Sequence, residues 1–150
     1  MYASYASPNA GAKAYARLGL ETSVMNASQQ QLMVMLFEGA RTAIRMARHH
    51  MAQGEIAAKG NAVSKAINIV DNGLKAALDV DVNDRAEREL VDNLSALYDY
   101  ISLQLLHANL HNDPALLDEA DRLLESVGSA WREAGSFKTI QELDAAAATA

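Results

Sequence analysis

The segment "NLSALYDYISLQLLHANLHNDP", residues 93–114, decides the fold. Extended back to about Arg85, it carries Leu90, Leu94, Leu97, Ile101, Leu105 and Ala108 at spacings of three and four, which puts all six on one face of a helix. Asp113-Pro114 ends that helix and starts another, because Asp113 can accept from free amides and a proline at the first helical position gives up a donor that had no partner. The segment also holds more apolar side chains than one inward face uses.

Downstream, Leu116, Leu117, Ala120, Leu123, Leu124, Val127 and Trp131 form the stripe of a fourth helix. Upstream, "DVDVND" supplies polar turn residues, and Asp84 with Glu87 makes a cap pattern for the third helix. A second helix is predicted from about Glu55 to Leu78, with Ile56, Val63, Ile67, Val70, Leu74 and Ala77 on its stripe. Gly60 and Gly73 weaken it by up to about 1 kcal/mol each unless they permit close helix approach. The first helix should begin at Ser28 with Gln31 completing a capping box, run through Leu32, Leu36, Ala40, Ala43, Ala47 and Met51, and close at Gly54.

Four long amphipathic segments with short turns predict an all-α, antiparallel up-and-down four-helix bundle over residues 28–133. Residues 1–27, rich in tyrosine, serine and asparagine, read as a mobile N-terminal arm with at most one short extra helix around "AKAYARL". Residues 134–150 read as a weakly structured C-terminal tail or short docking helix, with Phe137, Ile140 and Leu143 on a weak stripe.

Composition narrows the chemistry. A chain of 150 residues is most simply one domain, and the absence of cysteine excludes disulfides, thiolate catalysis and cysteine-held metals. With 19 acidic against 13 basic side chains, the formal charge of -6 argues against nucleic acid as the main partner. The start lacks the apolar run of a secretion signal, and no later run suits membrane insertion, so a soluble protein is expected.

No histidine has a glutamate three residues before it, as a di-iron bundle requires. His107 and His111, four apart, could share an ion only with Asp113 as a further ligand, and the adjacent His49 and His50 make a weaker pair because neighbours on a helix point apart. A calcium loop at Asp79, Asp81 and Asn83 fails: Asp84 stands where the turn glycine belongs and Leu90 where the bidentate glutamate belongs. Nucleophile elbow, phosphate loop and dinucleotide fingerprint are all missing, so no catalytic, cofactor or metal residue is assigned. Arg41, Arg45 and Arg48, on one flank of helix one, are read as solubilising its outer face.

What remains is surplus apolar area. Helix one adds Met33, Met35, Phe37, Ile44 and Met46 to its stripe, and helix three adds Val91, Tyr98, Leu103, Leu106 and Leu110. Periodicity alone leaves two explanations open: deeper burial in the domain, or a groove closed by a partner. Methionine and tyrosine suit adaptable partner surfaces, and an amphipathic peptide helix laid in a groove is the matching mode.

Several motifs then become specific. Leu36-Phe37-Glu38-Gly39-Ala40, Leu97-Tyr98-Asp99-Tyr100 and Ala108-Asn109, followed by "SAWREA", resemble the bacterial flagellar export chaperones that bind flagellin, whose pattern has Leu-Tyr-Asp-Gly-Ala, Leu-Tyr-Asp-Tyr and Ala-Asn in that order. The likeness spans about Ser28 to Glu133 and includes a tyrosine near the start, Tyr2; Phe37 and Glu38 depart from the pattern. The resemblance implies a cytosolic chaperone, needing no cofactor, that holds the disordered C-terminal segment of flagellin, prevents premature polymerisation and delivers it to the flagellar type III export gate. Other flagellar regulatory proteins could share the surface. Together with the apolar surplus, it marks Tyr2, Tyr15, Met33, Phe37, Val91, Tyr98, Leu106, Asn109 and Leu110 as candidate client-binding residues, with Leu36, Leu94, Leu97, Ile101 and Leu105 holding the bundle. A general helical adaptor or oligomerising protein is the alternative.

Overall fold

The computed structural model describes residues 28–149, with the side chains of 135–146 and 148–149 outside that description. Four helical segments account for the described chain, without strands: α1 (Gln29–Ala52), α2 (Ile56–Ile69), α3 (Arg85–His111) and α4 (Pro114–Thr149). α2 continues without a break through a π-helical segment, Val70–Lys75, and a 3-10 turn, Ala76–Leu78. The arm over residues 1–27, and with it Tyr2 and Tyr15, lies outside the described residues.

Local chemistry sets the ends. The Gln31 amide donates to Ser28 Oγ at 3.2 Å and the Ser28 amide donates to Gln31 Oε1 at 2.8 Å, a complete capping box. Gly54, at φ 70, reverses the chain after α1 in the left-handed region that costs glycine nothing. Asp84 caps α3 by accepting from the Ala86 amide, and Asp113 accepts from the Ala115 amide at the start of α4. Between them, Asn112 closes α3 at φ 50, which its short polar side chain tolerates.

Short turns make successive helices antiparallel neighbours. α1 packs on α2 and α4, and α3 packs on the same two from the opposite side, so the helices follow one another around the core in chain order. That core includes Leu36, Phe37, Ala40, Val63, Ile69, Leu74, Tyr98, Ile101, Leu105, Leu117 and Leu124, each essentially without solvent contact.

One sequence expectation is corrected. Leu90, in register with the inward stripe of α3, is 59 % exposed, because residues 85–90 stand clear of the core. Helical register says which way a side chain faces, and it says nothing of whether another helix stands opposite. The segment after Glu133, expected as a weakly structured tail or a short docking helix, is helical as the continuation of α4 to Thr149, in keeping with the high helix propensity of its alanines.

The glycines separate by environment. A Cβ on Gly128 of α4 would lie 3.2 Å from Cγ and 3.3 Å from Cβ of Phe37, whereas one on Gly60 of α2 would meet nothing within 4 Å. Gly128 is therefore a close-approach position and Gly60 is open. Gly128→Ala should destabilise the fold by about 1–3 kcal/mol through overpacking. Gly60→Ala should stabilise it by about 0.5–1 kcal/mol through helix propensity. Urea unfolding of both variants reads the two signs directly.

Candidate functional site

The apolar surplus of α1 and that of α3 have different fates. On α1, Met33, Phe37 and Ile44 are buried and only Met46 is well exposed. That helix presents its broad apolar face to α2 on one flank and α4 on the other. On α3, Leu103, Leu106 and Leu110 are 49 %, 45 % and 63 % exposed. Their spacing of three and four puts them on one outward strip, opposite the face that carries Ile101, Leu105 and Ala108.

The expectation that Met33, Phe37 and Tyr98 line an open groove is corrected in placement, since all three are buried. Phe37 and Tyr98 reach across the bundle from α1 and α3 and meet with ring centroids 6.5 Å apart at a tilt of 51°, a favourable arrangement for two aromatic quadrupoles. Gly128 makes room for Phe37 at that point. Sequence periodicity puts these residues on the flanks of their stripes, and it carries no sign of the space that Gly128 leaves for Phe37. Of the remaining candidates, Val91 and Asn109 are half-buried, while Leu106 and Leu110 lie on the strip. Leu103 belongs with them, and its place seven residues before Leu110 is the signal that identifies it.

Polar contacts rim the strip. Toward α2, Ser102 Oγ donates to Asp71 at 2.6 Å, Lys75 pairs with Asp99 at 2.6 Å, and Lys59 Nζ donates to the Asn109 carbonyl at 3.0 Å and to the Asn112 side chain. The ammonium of Lys59, a buried residue, thus sits on the last turn of α3, where carbonyls lack helical partners and the dipole is negative. Toward α4, the Tyr100 hydroxyl donates to Glu119 at 2.6 Å and Gln104 Nε2 donates to the same oxygen at 2.9 Å. These two donors hold the Glu119 carboxyl below its usual range, and the bond to Glu119 holds Tyr100 above its own.

The α1–α4 seam is closed by charge. Arg41 pairs with Asp121 at 2.9 Å and with Glu125, Arg48 with Asp118 at 2.7 Å, and Arg132 with Glu38 at 3.2 Å. Arg41 and Arg48, read from sequence as solubilising residues, therefore bind helix to helix, while Arg45 stays exposed. His107 and His111 stack nearly parallel, with centroids 5.8 Å apart, and Asp113 uses a carboxylate oxygen in its cap.

The Tyr98 hydroxyl is buried with no hydrogen-bond partner. The Trp131 indole lies alongside without ordinary hydrogen-bond geometry, and burial pushes the phenol up from 10.0 to about 12. Because the folded pKa is the higher, titration of this group leaves stability unchanged below about pH 10 and lowers it as pH rises from there towards about 12, where the folded protein must bury a phenolate. Ultraviolet titration of phenolate should show one tyrosine resisting ionisation until that range. Tyr98→Phe should remove this signal and leave stability unchanged or higher, since it deletes an unpaired buried hydroxyl, while Tyr98→Ala should cost about 3–5 kcal/mol in urea unfolding.

Known proteins resemble this chain over most of its length. Residues 11–138 match the family model "Flagellar protein FliS". A flagellar secretion chaperone FliS of Salmonella typhimurium is 47% identical over 132 residues, covering 88% of this chain and 95% of its own length. The FliS of Escherichia coli is 45% identical, covering 82% and 88% respectively. The FliSB of Pseudomonas aeruginosa is 38% identical, covering 79% and 90%.

Proposed function

This chain belongs to the FliS family of flagellar secretion chaperones, and from that premise we propose that it holds the C-terminal segment of flagellin against the outward strip of α3. The observation that carries the reading is Leu103, Leu106 and Leu110, three large apolar side chains exposed in helical register between polar rims. An amphipathic client helix has the complementary pattern, with anchors at spacings of three and four. Val91 and Asn109 extend the contact along the α2 flank of α3, Phe37 and Tyr98 act from beneath by fixing the position of that helix, and Met33 supports the strip only indirectly, from the buried face of α1.

Covering apolar area contributes about 25 cal/mol per Å², offset by the cost of ordering a client that is disordered when free. No nucleotide or metal step enters this reading. Covering the client's sticky segment prevents premature polymerisation, and a hold based on exposed leucines can be released to the flagellar type III export gate without a covalent step. On this reading the protein works in the cytosol, where its client is made. Among the described residues, no helix is long and apolar enough to cross a membrane. Other flagellar regulatory proteins would compete for the same strip.

Titrating a flagellin C-terminal peptide into the protein tests the assignment. Leu106→Asp with Leu110→Asp should weaken binding by about ten-fold or more, because each aspartate would have to be desolvated under the client. Tyr98→Phe should bind as the parent does. Equal affinity of the folded double variant would remove the strip from the reading. A pull-down with intact and C-terminally truncated flagellin separates this function from that of a general helical adaptor, which would retain both.

A further inference from the structure

His49 and His50 close the last turn of α1, and Glu55 follows the reversal at Gly54. As neighbours on a helix, two histidines point apart, and sequence spacing alone gives them no shared ligand. The chain reversal changes this. It returns Glu55 against α1, where its amide donates to the His50 carbonyl at 2.9 Å, and the carboxylate arrives 3.2 Å from His50 Nδ1. The His49 and His50 rings meet edge to face with centroids 5.5 Å apart, and one ligand atom from each of the three residues lies within 4.8 Å of the others.

We propose that His49, His50 and Glu55 form a binding site for a divalent transition-metal cation of the zinc class. Two imidazoles and one carboxylate are a borderline donor set that suits zinc, nickel or copper and disfavours magnesium and calcium, which take oxygen ligands. The spacing fits. Bonds of about 2.0–2.1 Å in a tetrahedron separate adjacent ligand atoms by roughly 3.3 Å, and the His50–Glu55 pair is already at that distance. His49 completes the set by a side-chain rotation, which its exposure permits, and solvent supplies the fourth position.

The electrostatic setting is favourable as well. The ligands lie at the C-terminal end of α1, the negative end of its helix dipole. Arg48, the adjacent cation on α1, is already committed to Asp118 and to the Pro114 carbonyl on α4. His107 and His111 serve as an internal control, since no third ligand group joins them among the described residues. A bound cation would tie the end of α1 to the turn that starts α2, independently of the strip on α3.

The test uses the full chain without an affinity tag, stripped by a chelator and titrated with zinc chloride against a chromophoric indicator. One equivalent should bind per chain, with affinity reduced about ten-fold or more in each of His49→Ala, His50→Ala and Glu55→Gln, and unchanged when His107 and His111 are both replaced by alanine. Zinc should also raise the thermal midpoint of the parent protein and of the His107/His111 double variant, and not of the other three. No binding, equal binding by every folded variant, or loss that follows His107 and His111 would overturn the site.

Discussion

The contact on which the bundle depends is the one between Phe37 and Tyr98, on helices α1 and α3 that stand diagonally across the core. They are the two bulkiest of its fully buried side chains, and they fill the space that four helices leave at the centre. Gly128 on α4 is the complementary constraint, because a Cβ there would press on Phe37 at 3.2–3.3 Å, closer than ordinary van der Waals contact. Dense packing in such a place leaves little freedom: a core at crystal-like density transmits a change on one helix to the others. The unpaired Tyr98 hydroxyl shows that ring packing outweighs a hydrogen bond at this position.

With the centre filled in this way, the outer seams divide the labour. Arginines and carboxylates join α1 to α4 along their length, from Glu38 and Arg132 to Arg48 and Asp118. Partly exposed pairs of this kind contribute little energy each, yet they set the register of one helix against another and cover the seam with charge. α3 is held differently, by Asp71, Lys75 and Lys59 on one side and by Glu119 on the other. Those contacts grip the flanks and leave its outward leucines to solvent. The proposed client strip rests on this combination of a rigid support and an apolar face that the fold itself does not use.

Much of the fold was legible in the sequence because helix ends depend on local chemistry. Ser28 with Gln31, Gly54, Asp84 and Asp113-Pro114 act within one turn of chain, and each marks a boundary in the structure. The family was legible as well, since its motifs are short and ordered along the chain. Less of the site could be read. Leu103, Leu106, Leu110, Phe37 and Tyr98 all look like surplus beside an inward stripe, and periodicity assigns a residue to a flank without saying whether that flank is covered.

The sequence by itself determined the four helices, their antiparallel order and the chaperone family, because caps, stripes and motifs are written in residues close together along the chain. Only the tertiary structure decided that α1 buries its excess while α3 exposes it, that Leu90 stands clear of the core, and that His49, His50 and Glu55 converge. The physical reason is the same in each case. Burial and convergence depend on what stands opposite a side chain, and that neighbour is contributed by another helix or by a chain reversal that periodicity does not encode.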